Sequence, residues 1–589
     1  MTGGPVRPGT ACGTLTAMRR ILGAAVSAAL TASTVAGCSS DPVRDSSSDV
    51  PFTPCSAADC TGTLPSGAEF DIIMPEDWNG TLAIYSHRLD GPGAPAGVPP
   101  ETAVAPTKPP RGLDDRASDR RTTAPKDGEQ ASGAKDNAKE KKDNGAGATS
   151  SASPTAVAPP TEPRPGGPEL APLWGEGDRS LADTMLQAGY AVAGATPVDQ
   201  GWVVSQQVTA AEELHEYFTS TIGPANRVYV WGESTGGLAS ARLAELHPDW
   251  VSGALAMCAP LSGPIQSYNL ALDVTYAIRE TLSPRLKLVG FASEDEARRS
   301  RDIALRAVLD AAGGSLADQG RVAFIAAIGE LPNASRTDDG LSWQSQLRAN
   351  VASIRNLVEQ ATLQRFVLEQ RAGGNFSGNA GTDYPLRISD ARREQLDGIK
   401  KGLTDDLLGR LVAGVRVTPD PAAEARAAEQ GTLEGTLEVP TVTLHNAVDP
   451  VYIAPNVSAY RAVLAGTGEP EAIGNLVDVF ALPAGSVSES SPAQEGIGNC
   501  DFEPRTVLGA MIQLNQWVRN DQYPGRDTVA QSFKGRNVTL DYDPGPWPQM
   551  SPVVVQDGPV PSETAPPASA GPGGDGATPS GTPTSEGRP

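Results

Sequence analysis

The sequence predicts an α/β protein: a mostly parallel central sheet flanked by helices. Three observations predict it. Short apolar strands alternate with helical segments. A tight Gly-x-Ser-x-Gly turn joins one such strand to an amphipathic helix. A long helix-rich stretch then interrupts the alternation before strand character returns. In order, Thr81–Ser86 reads as a strand, 180–187 as a helix and 189–194 as a strand. Residues 203–220 read as a helix, 227–231 as a strand, 238–246 as a helix and 251–257 as a strand. The stretch 264–437 carries its own helical periodicity and is expected to form a separate layer. Strands return at 439–444 and 477–481, and a last helix covers about 505–518. No internal repeat recurs at a fixed period.

Composition sets the limits. The chain has 589 residues, with 70 acidic against 47 basic side chains, a net charge of −23. Such an acid excess argues against a nucleic-acid partner, which calls for a basic patch. Gly (63) and Pro (52) make up about a fifth of the chain, where average usage is roughly an eighth. Part of the chain is therefore expected to stay unfolded. Residues 91–166 are rich in Pro, Ala, Gly and Ser, and within 101–150 ten basic residues balance nine acidic ones. Such a segment cannot bury enough surface to fold. The tail 549–589 reads the same way. The folded core is expected over 51–90, 167–263 and 438–548.

One apolar run is long enough to suggest a membrane signal, Ile21–Gly37, preceded by Arg19 and Arg20. Met18 offers a second start. The run ends Val35-Ala36-Gly37-Cys38, which resembles the lipobox of bacterial lipoproteins. That resemblance implies a signal peptide over 1–37, a lipidated Cys38, a polar tether over 38–50 and a protein held on the outer face of the bacterial cell membrane. Of six cysteines, Cys12 would leave with the signal and Cys38 would carry lipid. Four remain, which allow three pairings. The short spacing of Cys55 and Cys60 favours a local bridge, which leaves Cys258 with Cys500. A zinc site would need a second closely spaced ligand pair, and none is present. No metal or organic cofactor is expected.

The most informative segment is Gly232-Glu233-Ser234-Thr235-Gly236-Gly237 after the strand Arg227–Trp231. A turn this tight needs small residues two before and two after the serine, because a Cβ there would meet neighbouring backbone. It lifts the Ser234 hydroxyl to the top of the sheet at a helix N-terminus, where the Thr235 N–H can point at a developing oxyanion.

With this turn the chain resembles the α/β-hydrolase superfamily, in its secreted bacterial esterase and peptidase branches. Met74–Gly80 followed by Thr81–His87 resembles the opening strands and oxyanion loop. Ala188–Val192 resembles the strand before the helix that leads to the elbow. Val439–Pro450 resembles the strand and loop that carry the catalytic acid. The resemblance implies Ser234 as nucleophile, Asp449 as acid, the Thr235 and Arg88 backbone N–H groups as oxyanion donors, and 264–437 as a helical lid. Its substrates would be small-molecule esters or peptides.

The family's base should follow the acid, but none of the four histidines (His87, His215, His247, His445) lies after Asp449. Related hydrolases show Gly-His-Cys then Phe at that place. This chain shows Gly498-Asn499-Cys500-Asp501-Phe502, so Asn499 stands where the histidine is expected. The same match implies that a Cys258–Cys500 bridge pins the base-carrying loop. An amide takes no proton near neutral pH, so Asn499 cannot activate Ser234 as a general base. The family's His-Gly at the oxyanion loop is here His87-Arg88. Two readings follow: a hydrolase frame that has lost its base and is weakly active or only binds a ligand, or an active hydrolase with an unconventional base such as His445. His87 is expected to shape its loop, His247 to complement a helix end, and His215 to lie on a helix face.

Overall fold

The computed structural model describes residues 59–88, 170, 173, 181–335, 338, 340, 342–483 and 496–548. The expected signal peptide (1–37), tether (38–50), insert (91–166) and tail (549–589), with Cys38 and Cys55, lie outside them.

The described residues form one nine-stranded sheet. Its strands are β1 (Asp59–Thr63), β2 (Glu69–Ile73), β3 (Thr81–Ser86), β4 (Tyr190–Thr196), β5 (Arg227–Glu233), β6 (Gly253–Met257), β7 (Thr441–Asn446), β8 (Leu476–Ala481) and β9 (Val538–Thr539). The spatial order is β1-β2-β4-β3-β5-β6-β7-β8-β9. From β4 to β8 every neighbouring pair is parallel, and the flanking pairs β1–β2, β2–β4 and β8–β9 are antiparallel. Strands β3, β6, β7 and β8 are buried along their whole length, as strands covered on both faces must be.

Successive side chains of a strand point to opposite faces, and each face has its own helices. Ala83, Tyr85, Tyr229, Trp231, Leu255 and Val442 pack with α1 (Leu181–Gln187) and α14 (Pro504–Asn520). Leu82, Ile84, Val228, Val230 and Ala254 pack with α2 (Val204–Thr221), α3 (Thr235–Leu246) and α12 (Asn456–Thr467). A short helix, α13 (Pro470–Gly474), leads into β8, and α15 (Arg526–Ser532) precedes β9.

The stretch between β6 and β7 is helical, as expected. It holds α4 (Gly263–Thr281), α5 (Glu294–Ala312), α6 (Leu316–Ile328), α7 (Trp343–Glu359), α8 (Arg365–Ala372), α9 (Asp390–Ile399), α10 (Leu403–Ala413) and α11 (Pro421–Ala428). Their starts are written in the sequence. Ser293, Ser315, Ser342, Ser389 and Asp420 each cap a helix by accepting a backbone N–H from its first turn. This layer has its own apolar core, built from α4, α6, α7 and α10.

The layer also buries charge. Asp273 on α4 is fully buried, held by the Tyr384 hydroxyl at 2.7 Å and the Arg387 guanidinium at 3.1 Å. Burial pushes its carboxyl up to about 6 against the pull of Arg387. Arg365 is fully buried, donates to the Ser377 hydroxyl and the Tyr268 carbonyl, and lies 5.2 Å from the Phe376 ring. A single π-helical turn, Gln360–Gln364, joins α7 to α8 just before it.

The strand hairpin β1–β2, the helices α12 and α13 and the strand β9 were not expected from the sequence. The helix after the elbow starts at Thr235 rather than at 238.

Candidate active site

The elbow is built by backbone crowding. Ser234 has φ 57° and ψ −125°, a conformation that L-residues rarely adopt. A Cβ on Gly232 would sit 2.3 Å from the Ser86 carbonyl oxygen, and one on Gly236 only 2.0 Å from it. The three chain segments meet so closely that only glycine fits at either place. The Ser234 N–H donates to the Met257 carbonyl at 2.9 Å, which ties the turn to the end of β6. Thr235 opens α3, so its N–H lacks an intrahelical partner and lies at the positive end of the helix dipole.

The neighbouring loop, Ser86–Arg88, is held from several sides. The His87 ring meets the Thr196 hydroxyl through Nε2 at 2.6 Å and the Arg88 carbonyl through Nδ1 at 3.1 Å. The His87 carbonyl accepts from Gln207 Nε2. The Arg88 guanidinium pairs with Glu233, the residue before the nucleophile, and the Tyr85 hydroxyl donates to the other oxygen of that carboxylate at 2.6 Å. The Arg88 side chain is thus engaged within the protein.

The acid loop follows β7. Asp449 is fully buried. Its Oδ1 accepts the N–H groups of Val451 (2.8 Å) and Tyr452 (3.0 Å), and its Oδ2 accepts Asn499 Nδ2 at 2.9 Å. Burial pushes this carboxyl up to about 8, only partly opposed by those hydrogen bonds, and the nearby Asp501 pushes the same way.

Asn499 is placed by a stitched loop. The Val448 N–H donates to the Gly496 carbonyl and the Gly498 N–H to the Val448 carbonyl, while Asn446 reaches both the Gly496 N–H and the Gly498 carbonyl. The Cys258–Cys500 disulfide closes the loop onto the end of β6, with Cα atoms 5.3 Å apart. Cys60 is also disulfide-bonded; its expected partner Cys55 lies outside the described residues.

The structure brings Ser234, Thr235, Asp449 and Asn499 to one end of the sheet. It places the histidines elsewhere in the bonding scheme. His445 is buried and donates Nε2–H to the Tyr452 carbonyl at 2.8 Å, with Asp449 Oδ2 3.7 Å away. Burial lowers its imidazole to about 4, so it is neutral. His247 meets Glu212 at 2.6 Å, and His215 stacks on Trp250. His445 Nε2 is thus committed to the Tyr452 carbonyl.

The residue missed in the sequence is Tyr452. It is buried, its N–H donates to Asp449 Oδ1, and burial raises its phenol well above an ordinary tyrosine. Nothing in the local pattern marks it beyond its place three residues after the acid. Ser234 itself is only 1% exposed, so the site is closed. A cleft of about 440 Å³ opens on the other side of the acid loop, lined by Glu330, Asn333, Arg392, Asp449 and Tyr542 but not by Ser234.

No family model matches this chain, and no curated protein does. Solved structures do. Feruloyl esterase B from Aspergillus oryzae is 13% identical, with 79% of this chain and 80% of that one covered and a TM-score of 0.31. A bacterial membrane phospholipase A is 12% identical over 78% and 86%, with a TM-score of 0.28. The acylaminoacyl peptidase of Pyrococcus horikoshii is 8% identical over 82% and 44%, with a TM-score of 0.30. The strand order, the elbow after the central strand β5 and the helical layer inserted between β6 and β7 are those of the α/β-hydrolase fold.

Proposed function

We propose that this protein is a surface-anchored lipoprotein of the serine-hydrolase type whose catalytic frame is kept while its base is missing. It is weakly active, or it binds a small ester or peptide without turning it over. The observation that carries this reading is the hydrogen bond from Asn499 Nδ2 to Asp449 Oδ2. An amide occupies the place of the base and can only donate to the acid; it cannot take the proton of Ser234. Losing the histidine of a serine triad costs on the order of a million-fold in turnover. A buried Asp449 whose carboxyl is pushed up by desolvation fits the same reading, since no imidazolium is formed for it to stabilise.

Lipidation at Cys38 would hold the folded part at the outer face of the membrane through the polar tether 38–50. The ligand would have to reach Ser234, which is buried. The Thr235 N–H, with that of Arg88, would receive the ligand's carbonyl oxygen.

The test is labelling by a fluorophosphonate at neutral pH. Wild type should label poorly and Asn499→His should gain on the order of 100-fold or more. Ser234→Ala should abolish labelling in either background. Rapid labelling of wild type that vanishes in His445→Ala would instead make His445 the base and sink the proposal.

A further inference from the structure

We propose that the cleft beside the acid loop binds a small organic carboxylate with an apolar body, anchored by the Arg392 guanidinium. The proposal rests on that cleft and not on the missing-base reading, and it holds whether or not Ser234 reacts.

The cleft forms where the helical layer meets the acid loop. The segment after α6 supplies Glu330–Ala334, the first turn of α9 supplies Arg392, and the acid loop supplies Ala447–Asp449 and Ile453–Pro455. Its volume of about 440 Å³ is that of a site for a small molecule. Leu331 and Ile453 are buried, and with Pro332, Pro455 and Pro544 they give the cleft an apolar wall.

Arg392 is half-buried and is held by amides alone. Its Nη1 donates to Gln395 Oε1 at 3.1 Å, and its Nη2 donates to Asn333 Oδ1. Each amide is braced in turn. Asn333 Oδ1 also accepts Asn350 Nδ2 at 3.1 Å, and Gln395 Nε2 donates to Gln346 Oε1 at 2.8 Å. Asn350 is buried on α7 and donates as well to the Pro332 carbonyl at 3.2 Å. This chain of neutral side chains fixes the guanidinium without neutralising it. No carboxylate lies within ion-pairing distance of Arg392 among the described residues, and burial lowers its titration with no charged partner opposing.

A half-buried cation without a counter-charge is costly, and an anion brought in by a ligand relieves that cost. The guanidinium fork keeps N–H groups that the amides leave unused. A carboxylate matches that fork, because it accepts two N–H groups side by side. Asn333 Nδ2 lines the same cleft and has no hydrogen-bond partner among the described residues, so it offers a further donor.

Two carboxyl groups also line the cleft. Both oxygens of Asp449 are taken by the Val451 and Tyr452 N–H groups and by Asn499. Glu330 is exposed and does not pair with Arg392. A second negative charge on the ligand would meet Glu330, which restricts the class to monoanions.

The experiment is calorimetric titration of the purified full chain with phenylbutyrate, its neutral amide phenylbutyramide, and inorganic phosphate, with a melting curve for each variant. We expect phenylbutyrate to bind at least about tenfold more tightly than the amide or phosphate, and Arg392→Gln to weaken it by about tenfold or more. Arg392→Lys keeps the charge but not the fork, and should weaken binding less than R392Q. Ala334→Phe fills the cleft and leaves Arg392 in place, so it should abolish binding. Phenylbutyrate that binds R392Q or A334F as it binds wild type sits elsewhere, which overturns the proposal. An amide or phosphate that binds equally well overturns it too, as does an absence of binding by phenylbutyrate up to about 10 mM. R392Q and R392K decide the matter where A334F does not fold.

Discussion

Asn499 Nδ2 donates to Asp449 Oδ2 across 2.9 Å. On the reading proposed above, the amide stands where an imidazole would meet that carboxylate, and the difference is one of charge. A histidine can become an imidazolium and keep its acid ionised. An amide cannot, and a buried carboxylate without a cation is expensive. Burial accordingly pushes the Asp449 carboxyl up.

That has a consequence for stability. The folded carboxyl titrates near 8, the unfolded one near 3.9. Between these values the folded state binds the extra proton, so stability falls as pH rises through the window. His445 works against this at the acid end. Its folded value near 4 lies below the unfolded 6.5, so its contribution is lost as pH falls. From about pH 6.5 to 8 the His445 contribution is constant while that of Asp449 still falls. Melting temperatures of wild type should decline over that interval, and those of Asp449→Asn should stay nearly level, since Asn499 can turn its carbonyl to the new amide. Parallel declines of the two proteins would assign the effect to another group.

The Cys258–Cys500 bridge joins residues 242 apart in sequence. By the loop-entropy relation such a closure stabilises by roughly 5 kcal/mol. It also fixes the loop that carries Asn499. The double variant C258S/C500S should melt well below wild type. Adding N499H to it should restore labelling less than N499H does with the bridge intact, because the new base would be held loosely. Equal labelling with and without the bridge would show that the Gly496–Gly498 backbone bonds suffice.

Arg88 replaces the glycine expected at the oxyanion loop, and its guanidinium is tied to Glu233. The Arg88 side chain is 41% exposed, so the pair contributes at most about 1 kcal/mol. In the N499H background, Arg88→Gly should label several-fold faster, because the loop backbone can then approach the ligand, while melting changes little. An unchanged rate would place the barrier to entry in the helical layer instead.

The elbow was legible because its constraint is local: it needs two glycines at fixed offsets, and the crowding that requires them is present. The helical layer was legible in outline because its apolar residues keep a helical period. The hairpin β1–β2 was not: its strands are short, and Asp71 interrupts the apolar pattern of β2. The buried Arg365 and Asp273 read in sequence as ordinary surface charges, since only tertiary contacts supply their partners. Tyr452 was invisible for the same reason. Its carbonyl takes the Nε2–H of His445 from the end of β7, and no spacing rule announces that bond.

The elbow geometry makes its own prediction through a matched pair of substitutions. A Cβ at Gly236 would lie 2.0 Å from the Ser86 oxygen and 2.7 Å from the His87 oxygen, both backbone atoms that cannot swing aside. Gly236→Ala must then displace β3 or the start of α3, at a cost of about 3 kcal/mol or more. Gly409 sits inside α10, and a Cβ there meets nothing within 4 Å. Gly409→Ala should therefore stabilise by roughly 0.5–1 kcal/mol through helix propensity alone. Thermal melting of the two variants should move in opposite directions. If Gly236→Ala melts like wild type, the chain can relax around the elbow, and the case for a rigid, pre-built oxyanion site at Thr235 fails with it.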